Sequence, residues 1–156
     1  MQVVRKTSSE AQTVALARKL AGVMTPGTHV LLTGDLGAGK TAFVRGLVSG
    51  LQGGKDVRVK SPTYALCHAY PTTPRIWHAD LYRLQGQAHV EVLGILDSVE
   101  PSDLLVVEWA EIAPDISADA IRARLRITGP KTREITFTST GARSESVLRQ
   151  FTRAES

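Results

Sequence analysis

Residues 29–51 constrain this chain most, because three patterns follow one another there without a break. "HVLLT" at 29–33 has the length and apolarity of a buried strand. "GDLGAGKT" at 34–41 fits G-x-x-x-x-G-K-[ST]. Phe43, Leu47 and Leu51 then share one helix face, with Val44 and Val48 beside them. A strand, a glycine-rich turn and a helix in that order form a cradle for phosphate. Gly34 and Gly39 allow a tight curl, and Gly37 relieves crowding between them. The amides of such a loop can point inward at phosphate oxygens, and the helix adds its positive N-terminal end. Asp35, Leu36, Gly37, Ala38, Gly39, Lys40 and Thr41 are therefore the candidate nucleotide-binding residues. Lys40 has the place that neutralises β- and γ-phosphate charge, and Thr41 the place whose hydroxyl reaches Mg²⁺.

Such a loop also needs an acidic residue on the metal side, usually at the end of an apolar strand. Glu108 ends "LLVVE" and Asp80 ends "RIWHAD". At the C-terminal edge of an open α/β sheet, one can hold Mg²⁺ while the other orients an attacking water. No N-K-x-D segment of the guanine-specific kind is present in the sequence, which favours ATP.

The rest of the chain supplies further elements. Thr7-Ser8-Ser9-Glu10 matches a capping box with Thr7 as the cap, and Leu16, Leu20, Val23 and Met24 follow near helical spacing. Residues 64–70 and 75–80 read as strands, 89–99 as a helix weakened by Gly94, and 104–109 as a buried strand. Ile121, Ala123, Leu125 and Ile127 alternate with Arg122, Arg124 and Arg126. Ile135 and Phe137 alternate with Glu134, Thr136 and Thr138, which predicts an antiparallel hairpin around "TGPKTR". Residues after Gly141 read as a short helix or tail. The expected fold is a three-layer α/β, P-loop NTPase-like domain over residues 1–156, with a mixed central sheet and a C-terminal antiparallel hairpin.

Composition narrows the setting. The net charge of +4 reads as a mildly basic surface, since no Lys/Arg cluster interleaved with aromatics accompanies it. A single cysteine, Cys67, excludes an internal disulfide and fits a reducing compartment. The first ten residues lack a signal-peptide core, and runs such as 104–107 are too short to span a bilayer. The expected location is cytoplasmic, without a membrane.

"SPTY" at 61–64, "HADLYRL" at 78–84 and "VEWAE" at 107–111 follow "GDLGAGKT" in order. From about residue 7 to residue 140 the chain resembles the TsaE (YjeE) family of bacterial P-loop ATPases. The resemblance implies an ATPase component of the pathway that makes threonylcarbamoyladenosine in tRNA. Such a protein acts with a TsaB–TsaD complex and reaches tRNA indirectly, through that complex. It also implies Thr41 and Glu108 as magnesium-binding residues and Asp80 as the acid of hydrolysis, with Lys40 beside them. Ser61, Pro62 and Thr63 match a switch-like segment near the γ-phosphate, and Trp109 matches the tryptophan after the strand-end acid. The base is expected near Glu10 and the turn at Thr132 and Arg133. One departure is Ala69, where the family usually carries an acid before the closing aromatic. On the residues alone, Trp109 also fits a core aromatic. His78 reads as a packed or surface histidine, and Arg83 as a surface ion pair before an arginine finger. A small-molecule kinase is the other reading of a P-loop chain this short.

Overall fold

The computed structural model describes residues 1–62, 65–85 and 90–155. The apolar run at the start of the P-loop unit becomes β2 (His29–Thr33), the middle strand of a seven-stranded sheet. The other strands are β1 (Gln2–Thr7), β3 (Cys67–Tyr70), β4 (Ile76–Asp80), β5 (Leu104–Glu108), β6 (Ile121–Ile127) and β7 (Arg133–Ser139). Their order is β1-β7-β6-β2-β5-β4-β3. β2 pairs in parallel with β5 and β6, and β4 in parallel with β5; β1, β7 and β3 join through antiparallel pairs. The mixed sheet and the C-terminal hairpin are as the sequence predicts.

β5 shows how the layers form. All five of its residues are buried, the pattern of a parallel strand covered on both faces. Leu104 and Val106 join a core with α1 (Glu10–Ala21), α2 (Lys40–Ser49) and α4 (Ala142–Ala154). Leu105 and Val107 face the opposite core, which includes Val92 and Ile95 of α3 (Val90–Ser98). Helix, sheet and helix make three layers. α1 and α2 meet at backbone distance, because a Cβ on Gly46 would lie 2.3 Å from the Val14 carbonyl oxygen. That close seat fixes α2, and with it the end of the phosphate loop.

The start of the chain differs from its sequence reading. Residues 2–7 form an edge strand paired with β7 from Gln2↔Thr138 to Thr7↔Arg133. Thr7 therefore ends β1 and does not cap α1; its hydroxyl lies 2.8 Å from that of Thr13. The cap is Ser9, whose Oγ accepts the Gln12 N–H at 3.1 Å. The strand predicted from Tyr64 begins at Cys67, after a turn in which Leu66 has φ 61°. Tyr64, Thr63 and His89 lie outside the described residues. The strand predicted to 109 stops at Glu108, and the C-terminal stretch is a full helix that buries Val147, Leu148 and Phe151. Among the described residues, no helix is long and apolar enough to cross a membrane.

Candidate functional site

The parallel pairing brings the C-terminal ends of β2, β4 and β5 to one edge of the sheet. From β2 the chain turns at Gly34, where φ is +145° and a Cβ would fall 2.5 Å from the Leu125 carbonyl oxygen. Only glycine fits a turn pressed this closely against β6. The Gly34 N–H donates to Glu111 Oε2 at 3.2 Å, and the Ala38 N–H to the Asp35 carbonyl at 3.0 Å. Leu36 stands out at the loop tip, and α2 begins at Lys40 behind Gly39.

Lys40 is only 5% exposed. Its ammonium donates to the Gly34 carbonyl and, at 3.0 Å, to that of Asp35. It also lies 3.9 Å from the centre of the Trp109 ring. Burial pulls the Lys40 pKa below its usual value, against the opposing pull of Glu111, Glu108, Asp80 and Asp35. A buried cation held by loop carbonyls and an aromatic face is suited to receive an anion, whose charge offsets the cost of desolvation.

Thr41 opens α2 and donates from Oγ1 to Glu108 Oε1 at 2.9 Å. Glu108 is 2% exposed. In the sheet register Asp80 sits opposite Glu108, so the two strand-end acids are neighbours. Asp80 Oδ2 accepts from the Ser61 hydroxyl, and Oδ1 accepts the Tyr82 N–H at 3.0 Å. Lys40, Thr41, Ser61, Asp80, Glu108 and Trp109 line one cleft of about 440 Å³. Trp109 follows β5 with a left-handed φ of 57°, half-buried, its ring centre 5.0 Å from that of Tyr82. This backbone turn places the ring over Lys40 and makes Trp109 part of the cleft.

A second cleft of about 530 Å³ adjoins the first through Gly37, Gly39 and Glu10. Thr13, Lys131 and Arg133 line its other sides. The start of α1 and the β6–β7 turn, chosen from the sequence for the base, thus face each other across the loop. Glu10 is paired with Arg45 at 2.8 Å near the surface. Arg133 donates to the carbonyls of Ala38 and Gly37, each at 3.1 Å, and so ties the hairpin turn to the phosphate loop. The Thr132 hydroxyl accepts from that of Thr128 at 2.9 Å, and the turn meets the cleft through Pro130, Lys131 and Arg133.

Sequence reading had not placed Glu111, Tyr70 or His78 in the site. His78 is wholly buried, with Nε2 2.6 Å from Glu108 Oε2. A signal was present: His78 precedes Asp80 by two residues on a strand, so both point to one sheet face. Arg83 is exposed on the short turn Tyr82–Leu84.

The family model described as "Threonylcarbamoyl adenosine biosynthesis protein TsaE" matches residues 7–135. The tRNA threonylcarbamoyladenosine biosynthesis protein TsaE of Bacillus subtilis is 32% identical over 154 residues, covering 97% of this chain and 95% of that protein. The protein of the same name from Streptomyces coelicolor is 35% identical over 144 residues, covering 82% and 90%. The crystal structure of Bacillus subtilis YdiB superposes with a TM-score of 0.83 at 28% identity, covering 100% of this chain and 97% of that one. The chain therefore belongs to the TsaE family, whose part is in the biosynthesis of threonylcarbamoyladenosine in tRNA.

Proposed function

We propose that this protein binds ATP with Mg²⁺ at the C-terminal edge of its sheet and hydrolyses it slowly alone. That turnover serves a TsaB–TsaD-type complex, which itself transfers the threonylcarbamoyl group and holds the tRNA. The convergence of Lys40, Thr41, Asp80 and Glu108 in one cleft carries this reading. The loop amides and Lys40 hold the phosphates. The Thr41 hydroxyl and the Glu108 carboxylate, already joined to each other, are the pair that holds the metal. Mg²⁺, when bound, neutralises charge on the β- and γ-phosphate oxygens. Asp80 is the acid left to orient water, and the cleft between Glu10 and the hairpin turn accepts adenine. A small-molecule kinase would need an arginine-bearing lid over an acceptor pocket. Arg122 and Arg124 are fixed in β6 by their register with both β2 and β7, and Arg126 pairs with Glu134 of β7 at 3.0 Å.

The test is a pull-down with TsaB–TsaD partners, with and without ATP, read alongside tRNA threonylcarbamoylation. Nucleotide-dependent association and a partner-stimulated ATPase are expected. Turnover by the isolated protein at metabolic-enzyme rates of roughly 10 s⁻¹, with no gain from partners, refutes the proposal. Glu108→Ala is expected to weaken Mg²⁺-dependent nucleotide binding about tenfold or more, as loss of a carboxylate ligand should. Magnesium titration of ADP binding measures this, and an unchanged magnesium dependence removes Glu108 from the metal site.

A further inference from the structure

Behind Glu108 runs a line of polar groups, buried at His78 and Tyr70, that the nucleotide reading leaves unused. His78 Nε2 lies 2.6 Å from Glu108 Oε2, and His78 Nδ1 lies 2.9 Å from the Tyr70 hydroxyl. That hydroxyl is 3.0 Å from the Lys60 carbonyl oxygen, accepts the Lys60 N–H at 3.3 Å, and is 2.9 Å from His68 Nε2. The next residue, Ser61, donates to Asp80. We infer that Tyr70 and His78 are positioning residues that fix the Glu108 carboxylate for its metal and couple it to the Lys60–Ser61 segment. The inference rests on the reading of Glu108 as a magnesium ligand.

Glu108 and His78 are 2% and 0% exposed, so water cannot easily replace a lost partner. Among the described residues, each Glu108 oxygen has one side-chain donor: Thr41 serves Oε1 and His78 serves Oε2. With the Thr41 hydroxyl turned to a metal, His78 becomes the group that holds the carboxylate plane. In the tautomer with hydrogen on Nε2, His78 donates to Glu108, and its bare Nδ1 and the Lys60 carbonyl share the one hydrogen of the Tyr70 hydroxyl between them. Burial, with the nearby Glu108 charge adding to it and the Lys60 backbone opposing it, pushes the Tyr70 pKa up to about 12. Tyr70 therefore keeps its hydrogen at neutral pH.

Packing alone does not call for this line. Apolar side chains would fill the same space without the cost of burying polar groups. The line ends on a proposed metal ligand, and partners behind a ligand govern its orientation. Its outer end is the backbone just before "SPTY". One two-residue stretch thus holds Asp80 directly and Glu108 through Tyr70 and His78, so moving it releases both acids together.

The test is calorimetric titration of ADP at rising Mg²⁺ with Tyr70→Phe, His78→Leu, His78→Gln and Glu108→Ala, beside melting temperatures. Tyr70→Phe and His78→Leu are expected to raise the half-saturating Mg²⁺ about tenfold while changing magnesium-free ADP affinity less than about twofold. His78→Gln, whose amide nitrogen can replace Nε2, recovers most of the shift. Unchanged magnesium dependence in Tyr70→Phe and His78→Leu overturns the inference. So does an equal loss of magnesium-free affinity, which marks a merely structural role. If Glu108→Ala shifts the curve and these two do not, the coupling fails alone. If Glu108→Ala does nothing, the metal reading fails and the coupling falls with it.

Discussion

Lys40→Ala is expected to abolish nucleotide binding at concentrations that saturate the parent protein. The ammonium sits at the loop's mouth on the carbonyls of Gly34 and Asp35, beside the Trp109 ring. Those contacts are weak partners for a cation that is 5% exposed. A phosphate oxygen offers a full negative charge to the same nitrogen. Each charge-assisted hydrogen bond lost is worth about 1.5–3 kcal/mol. Two of them amount to about 10²–10⁴-fold in affinity. The fold should survive, because α2 is held by Phe43, Val44, Leu47 and Val48, all buried in the core behind the loop. Titration calorimetry with ATP and Mg²⁺, beside circular dichroism, separates the two effects. Affinity within tenfold of the parent in a folded Lys40→Ala protein would remove the lysine from the phosphate site.

The site was most legible where one residue type meets a local backbone demand. Gly34 is an example, since its φ and its contact with Leu125 exclude a side chain. β5 was legible because four consecutive apolar residues, Leu104 to Val107, suit a strand covered on both faces. β6 and β7 were legible because their period-two alternation has one buried face. What could not be read depends on register between distant segments. Thr7, Ser8 and Ser9 all carry a hydroxyl suited to a helix cap. The choice of Ser9 follows from β1 pairing with β7 as far as Thr7, near the other end of the chain. Likewise Tyr70, His78 and Glu108 meet only because β3 pairs with β4 and β4 with β5. Trp109 could equally have been a core aromatic, and a single left-handed residue after β5 turned its ring over Lys40.

Asp80→Ala is expected to do the opposite of Lys40→Ala, sparing nucleotide affinity while slowing hydrolysis about 10²-fold or more. Asp80 shares the cleft with Lys40 and Thr41, yet its own hydrogen bonds go to the Ser61 hydroxyl and the Tyr82 N–H. Among the described residues, it accepts no hydrogen bond from the phosphate loop whose loss would loosen the nucleotide. Its negative charge opposes that of the phosphates, so removal leaves binding equal or slightly tighter. An acid placed opposite Glu108 but outside the Thr41–Glu108 pair is suited to direct a water toward the γ-phosphate. Equilibrium binding and single-turnover hydrolysis with the partner complex measure the two quantities separately. If Asp80→Ala and Lys40→Ala lose affinity alike, the division of roles between the two residues is wrong. Asp80→Asn separates charge from scaffolding, because its amide oxygen can still accept the Tyr82 N–H while its NH2 donates to the Ser61 hydroxyl. Hydrolysis as slow as in Asp80→Ala identifies the carboxylate charge as the active feature. Recovery in Asp80→Asn would show that Asp80 works by holding the Lys60–Ser61 segment in place.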